Sequence, residues 1–361
     1  MPRYLHRLAL VLLLALLPVT ALADIVIGSW NIRHLGYDNG KRFDQVAQIA
    51  QTMDIIAIQE VMDPAAVDHL EQLLERQTGE LWQSMTSHLI GRGSYREAYA
   101  FLYRDASVEY VDGAVVFLDH RDTFSREPYS ARFRSRHSGT EFVLANIHVL
   151  YGNSVSDRLP EIHALADYWD WLEEVYGDTP RVLACDCNLA SQHRAWRPLR
   201  DRGVDSVAKD GATTLSSHHG VYANEYDHLW LIPGRLPVSD AGKLRFPELL
   251  GISHEQARAT VSDHAPVWIT LGDAQRPLDA FQGAVSSTQA PMAANDPVYD
   301  CVDLNRSPRD VLERLPHIGE ARSGHVIDGR PWDAPQSLQR IRGLGPSRVG
   351  DIIDSGLLCR S

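Results

Sequence analysis

Residues 24–31 read DIVIGSWN, an apolar β-rich run that stops on an amide side chain, and the chain repeats that pattern. DIIAIQ (54–59) stops at Glu60, FVLANI (142–147) at His148, and RVLAC (181–185) at Asp186, with Asn188 two residues further on. Asp227 opens HLWLI, and Asp263-His264 sits just before PVWITL. Stretches with helical spacing of apolar residues separate these runs. The segment therefore reads as a layered α/β domain, because strands and helices must bury their apolar faces against one another. One polar residue at a strand end is an ordinary turn or cap. Six of them, each a metal ligand or a proton carrier, point instead to a single sheet edge lined for chemistry.

The residue types name that chemistry. Carboxylate and amide oxygens suit Mg²⁺ or Mn²⁺, hard cations that keep part of their water shell. Two histidines then serve as base and acid in phosphoester hydrolysis, each oriented by a carboxylate that fixes its tautomer. No HExxH or CxxC spacing supports a zinc hydrolase.

The full chain has 361 residues, 44% of them apolar and 23% charged, which is the composition of a soluble globular protein. Past the N-terminus no apolar run approaches the ~18 residues of a membrane span, so no stable membrane insertion is expected. Arg3 and Arg7 precede the apolar stretch Leu8 to Leu17, and Ala21-Leu22-Ala23 offers a small-x-small cleavage site. Residues 1–23 are thus expected to be a signal peptide, and the protein to be secreted or periplasmic. Its removal takes the formal charge from −12 to −14. A broad basic field for polyanions is excluded, so a nucleic-acid role must rest on local contacts or a bridging cation.

Residues 273–298 lose all periodicity and fill with Ala, Pro, Ser and Gln, which predicts a flexible linker between a domain at 24–272 and a small one at 299–361. So small a unit holds little core, and in an oxidising compartment Cys301 and Cys359 are expected to staple it. Cys185 and Cys187 lie two apart in an apparent strand, where side chains share a face but reach poorly for each other. They are expected to be free buried thiols, with a zinc site as the alternative.

The motifs WNIRHLG (30–36), IQEV (58–61), GRGSYREAYAFLYR (91–104), FSREP (124–128), NIHV (146–149), DCN (186–188), YDHL (226–229) and SDHAPV (262–267) occur in an order that resembles the endonuclease/exonuclease/phosphatase superfamily, most closely its DNase I type. The resemblance implies an α/β sandwich of two central β-sheets flanked by helices. It implies a metal site at Glu60 with Asn31, and two catalytic histidines: His148 oriented by Glu97, and His264 oriented by Asp227. By the same resemblance Asp186, Asn188 and Asp263 hold the scissile phosphate, its metal or the attacking water. Arg33, Tyr95 and Arg126 match positions that touch DNA phosphates or lie in the minor groove. The cofactor implied is Mg²⁺ or Mn²⁺, with Ca²⁺ as a possible addition. The usual Gly-Asp-Phe-Asn is here Cys185-Asp186-Cys187-Asn188, and the family's disulfide near that motif has no visible counterpart.

The last segment reads as two copies of a helix, a tight turn and a second helix. One turn runs through Leu315-Pro316-His317-Ile318-Gly319 and the other through Gly343 and Gly345. It resembles the tandem helix-hairpin-helix modules of DNA-repair proteins, a small all-α domain. Glycines at such turns leave backbone N–H groups bare at a helix N-terminus, so Gly319 and Gly345 are expected to seat DNA phosphates. Residues 300–361 carry nine arginines against nine acids, a neutral half beside an acidic one. The expected partner is double-stranded DNA, cut with little sequence specificity by a monomeric endonuclease. The same core also serves phospholipid and sugar-phosphate phosphodiesterases, and a DNA-binding receptor with an inactive nuclease domain is the non-enzymatic alternative.

Overall fold

The computed structural model describes residues 24–37, 39–207, 211–216, 220–287, 301–307 and 309–359. The expected leader, residues 1–23, lies outside them. Chain order opens with β1 (Val26–Leu35), α1 (Phe43–Ala50), β2 (Ile55–Val61) and α2 (Pro64–Thr78). Strands β3 (Trp82–Thr86), β4 (Ala98–Arg104), β5 (Val108–Val116), β6 (Tyr129–Ser135) and β7 (Glu141–His148) follow. Then come α3 (Val155–Tyr176), β8 (Arg181–Asp186), α4 (Arg197–Arg200), β9 (Asp205–Ser206) and β10 (Asp227–Leu231). The domain closes with β11 (Val238–Lys243), α5 (Phe246–Leu250), α6 (His254–Thr260) and β12 (Val267–Leu271).

Two six-stranded sheets result, ordered β11-β12-β1-β2-β4-β3 and β5-β6-β7-β8-β10-β9. The inner strands β1, β2, β4, β7, β8, β10 and β12 are buried on both faces, which explains their near-continuous apolar sequence. Ile25, just before β1, and Ile27 on it join Phe133, Leu144 and Val182 in the core between the sheets. Val26, Trp30 and Ile32 face the other way, under Val46, Ile49, Leu70 and Leu74 of α1 and α2. Helix α3 covers the outer face of the second sheet through Ile162, Leu165, Trp169 and Leu172. This is the expected two-sheet α/β sandwich. One polar network interrupts the inner core just behind the strand ends: the Gln59 amide donates to Asn146 Oδ1 (2.7 Å) and Ser29 Oγ (3.1 Å), while Asn146 Nδ2 donates to the Ile58 carbonyl (2.9 Å). All three side chains are fully buried, so the network locks the register of the two sheets beneath the site.

Part of the stretch read as linker is ordered. Pro277–Ser287 forms a helix, α7, and Phe281 from it is buried in the outer core of the first sheet. An apolar anchor outweighs the Ala/Ser/Gln composition. Residues 288–298 of the expected linker lie outside the described residues.

Beyond it are α8 (Arg309–Leu312), α9 (Glu320–Asp328), a 3₁₀ turn at Pro335–Arg340 and α10 (Pro346–Asp354). They surround their own core of Leu312, Leu315, Ile318, Val326, Leu338, Leu344 and Ile352. The expected Cys301–Cys359 disulfide is present and ties the two ends together beside a Val302–Leu358 bridge. This segment packs on α2. Arg322 is fully buried and donates to Glu71 Oε1 (2.7 Å) and to the Trp82 carbonyl (2.9 Å), with Glu75 Oε1 at 3.3 Å. Arg348 donates to both oxygens of Glu71 (3.0 and 3.2 Å), and Arg342 pairs with Asp105 at 3.0 Å.

Candidate active site

The strand ends converge as the sequence implies. Asn31 closes the regular pairing of β1 with β2, whose register shifts beyond it. Glu60 and His34 hold left-handed backbones (φ 58° and 52°), as does Asn188 (φ 52°) just past β8. Non-glycine residues persist there only where the surroundings over-determine them, and three of them cluster at one edge. The strained turns aim polar side chains into a cavity of about 640 Å³ lined by Glu60, Tyr95, Arg126, His148, Asp186, Asn188, Asp263 and His264, among others.

Two histidine–carboxylate pairs face each other across this cavity. His148 Nδ1 lies 2.8 Å from Glu97 Oε1, and His264 Nδ1 lies 2.8 Å from Asp227 Oδ2. Each ring turns its Nε2 to the same atom, Asp186 Oδ2, at 3.5 Å from His148 and 3.7 Å from His264. Burial alone would favour the neutral imidazoles. Glu97 and Asp186 nevertheless raise His148, and Asp227 and Asp186 raise His264 well above the usual histidine value. Glu97 is held below the ordinary carboxylate range: burial pushes it up, but His148 and Arg126 more than offset that. Trp30 Nε1 donates to the His264 carbonyl (2.7 Å), and Ser262 Oγ donates to the Asn31 carbonyl (2.6 Å) and accepts from His264 N (3.1 Å). The His264 loop is thereby fixed to β1.

Asn31 Nδ2 donates to Glu60 Oε1 and to Asp186 Oδ2, both at 2.9 Å, and His34 N donates to Glu60 Oε2 at 2.9 Å. Asn188 N donates to Asp186 Oδ1, and its amide to the Val149 carbonyl. Asp263 is not gathered with Glu60 in this way. Its carboxylate lies 3.7 Å from Arg33 Nε and 3.4 Å from Arg258. A second acidic group is tighter: ligand atoms of Asp186, Asp227 and His264 all lie within 4.8 Å of one another. The donors are oxygens and imidazole, and both cysteines beside them are bonded to each other. That set suits a hard divalent cation and offers no thiolate.

Two of the expected DNA contacts are placed differently. Arg126 is buried, 3.3 Å from Glu97 Oε1, and donates to the His148 carbonyl at 2.9 Å. From the cavity wall its charge is directed to the histidine–carboxylate pair, which it positions. Gly319 faces the protein: a Cβ there would sit 2.5 Å from Glu75 Oε2. An anionic phosphate has no seat beside a buried carboxyl group. Tyr95 is exposed and its hydroxyl donates to Glu97 Oε2 (3.0 Å), Arg33 is half-exposed, and a Cβ at Gly345 would meet nothing within 4 Å.

The expectation of free thiols at Cys185 and Cys187 is overturned: they form a disulfide with Cα atoms 5.2 Å apart. The strand ends at Asp186, and the chain contracts as it turns into Asn188. Extended-strand spacing therefore no longer applies to the second cysteine. The bridge brackets Asp186 and stands in the motif where no counterpart of the family disulfide was visible.

Lys41 escaped the sequence reading. Its ammonium donates to the carbonyls of Ile32 (3.2 Å), Arg33 (2.7 Å) and Val261 (2.8 Å). Burial, with Arg33 adding to it, lowers its pKa to about 8. It clamps the irregular end of β1 to the segment entering Ser262-Asp263-His264. Backbone carbonyls leave no mark in sequence, and a lone lysine after a glycine turn carries no motif.

No protein-family model matches the chain. It is 44% identical over 358 residues to a deoxyribonuclease of Thioalkalivibrio sp. (strain K90mix), covering 97% of this chain and 96% of that one. It is 30% identical over 283 residues to deoxyribonuclease-1 of Homo sapiens, covering 72% of this chain and 98% of the relative. Among solved structures, an endonuclease/exonuclease/phosphatase family protein from Bacteroides thetaiotaomicron superposes with a TM-score of 0.54 at 17% identity, covering 68% of this chain and 97% of that one.

Proposed function

The chain belongs to the DNase I-like deoxyribonucleases of the endonuclease/exonuclease/phosphatase superfamily, and from that premise we propose that it is an exported, divalent-metal-dependent endonuclease that cuts DNA with little sequence specificity. The observation that carries the reading is the pair of imidazoles, each backed by its own buried carboxylate and both turned to one oxygen of Asp186. In hydrolysis one neutral imidazole takes the proton of the attacking water while the other, as imidazolium, gives a proton to the leaving oxygen as the P–O bond breaks. Asp186 and Asn188 hold the phosphate or the water between them. Glu60 with Asn31, and the Asp186 edge beside them, would hold Mg²⁺ or Mn²⁺. When bound, such a cation neutralises charge developing on the phosphoryl oxygens.

Export is supported by the leader-like start and by two disulfides with no free cysteine among the described residues. No described helix is long and apolar enough to cross a membrane. The C-terminal segment is proposed as a DNA-binding module acting through its second turn. Gly345 stands open at the N-terminus of α10, where backbone N–H groups favour an anion.

Incubation with supercoiled plasmid, with and without EDTA, tests the reading: nicking that EDTA abolishes is expected. Hydrolysis of a phosphodiester lipid with an intact plasmid would replace it. Glu60→Gln, which exchanges a charged oxygen ligand for a neutral one, should raise the Mg²⁺ concentration needed for half activity several-fold, roughly 1–2 kcal/mol of lost ligation.

Lys41→Met should lower kcat by about tenfold and likewise raise the metal requirement, because both loops it joins carry site residues. Its melting temperature should fall only slightly. Unchanged kcat and metal titration would show the clamp to be dispensable.

A further inference from the structure

One wall of the cavity is used by neither the phosphate nor the proton-transfer residues. It is formed by Leu150, Tyr151, Gly152 and Tyr226. Tyr151 is 57% exposed, yet the loop that carries it, between β7 and α3, is pinned on both sides. Val149 N donates to the Asp186 carbonyl (2.9 Å) and Leu150 N to Glu161 Oε2 (3.0 Å). Gly152 takes a left-handed backbone (φ 61°) where a Cβ would strike Asp157, which itself accepts from Asn153 N and Ser154 N to cap α3.

The ring is supported from behind. The Arg158 guanidinium, buried in the protein, lies 4.4 Å from the centroid of Tyr151 and 5.5 Å from that of Tyr226. Its Nε donates to the Tyr151 carbonyl (2.8 Å) and its Nη1 to the carbonyl of Asn188. A buried cation therefore ties the exposed ring to the same turn that carries the phosphate-holding residues.

We propose that Tyr151, backed by Arg158 and flanked by Tyr226, is a stacking platform for an unpaired nucleobase next to the scissile phosphate. This inference rests on the deoxyribonuclease reading and extends its substrate class to single-stranded or locally unpaired DNA. A base inside a duplex has both faces occupied by its neighbours and offers only edges, so the face of a tyrosine is taken up by a base that has left the stack. Stacking of this kind does not depend on which base is present. That agrees with low sequence specificity.

The test uses the full chain and three DNAs: supercoiled plasmid, a single-stranded oligonucleotide, and the same strand with abasic sites. Tyr151→Ala is expected to raise KM for the intact single strand about tenfold, and Tyr151→Phe, which keeps the ring, to stay within about twofold of the wild type. On the abasic strand the wild type should already show the high KM, and Tyr151→Ala should change it no further. A 2-aminopurine base in the single strand should be quenched on binding in the cleavage-deficient His148→Ala background, with the quench lost on adding Tyr151→Ala and kept with Tyr151→Phe. An intact-strand KM unaffected by Tyr151→Ala, an equal rise on the abasic strand, or an unaltered quench overturns the platform while plasmid nicking preserves the nuclease reading. A wild type that cuts none of the three DNAs removes the nuclease reading itself.

Discussion

Replacing His148 or His264 by alanine lowers kcat on plasmid DNA by about 10²-fold or more while the fold is kept. Both rings border the cavity, so truncation enlarges an open space and creates no sealed void. Loss of either ring leaves one proton transfer without its carrier. Because the two act on one transition state, the double variant should fall well short of the product of the single losses. Glu97→Gln and Asp227→Asn probe the next layer. The imidazole keeps its place but loses the negative charge that raises its proton affinity and fixes its tautomer. A loss of roughly tenfold or more is expected from each. Steady-state rates near wild type in both alanine variants would remove the histidines from the mechanism.

Arg322→Ala is expected to loosen the C-terminal segment from α2 at a cost of about 2–3 kcal/mol, since it removes a buried guanidinium that bonds Glu71 and the Trp82 carbonyl and leaves Glu71 with Arg348 as its remaining arginine partner. The measurements are a separate early transition in calorimetry and faster proteolysis of the C-terminal segment. A single transition at the wild-type temperature would refute the clamp. The interface also carries a pH dependence. Glu71 is held below its ordinary pKa, because Arg322 and Arg348 outweigh its burial. Glu75, with burial dominating, is pushed up to about 8. A carboxyl group whose pKa rises on folding binds more protons folded than unfolded. Its stabilising contribution is thus full below about pH 4.5 and is lost as pH rises toward 8. Glu75→Gln should flatten that part of the stability profile. An unaltered slope would assign it to other groups.

The ends of the apolar runs were legible because strand length and burial demand uninterrupted β-branched and aliphatic residues, which makes the first polar residue conspicuous. Asn31, Glu60, His148, Asp186, Asp227 and His264 all came from that contrast; Glu60, His148, Asp186 and His264 line one cavity, and Asn31 and Asp227 bond to them from behind it. What the sequence hid depends on partners remote in the chain. Asp263 reads like its neighbour His264, yet two guanidinium groups, from Arg33 and Arg258, engage it. Arg126 reads as a DNA contact because nothing local shows that Glu97 lies behind it. The Cys185–Cys187 bridge depends on how sharply the backbone leaves β8, and Lys41 on carbonyls from two distant segments. In the expected linker, one phenylalanine among small residues was enough to dock a helix.

Gly319 and Gly345 began as equivalent letters in a duplicated motif, and the packing of one copy on α2 makes them unequal in descent. A change at Gly319 is acceptable only together with compensating changes at Glu75 or Arg322, whereas Gly345 answers to whatever binds at the open turn. Across relatives that share the full length of this chain, the first copy should drift as a correlated set with residues some 240 positions away, Glu71 and Arg322 being 251 apart. The second should vary on its own.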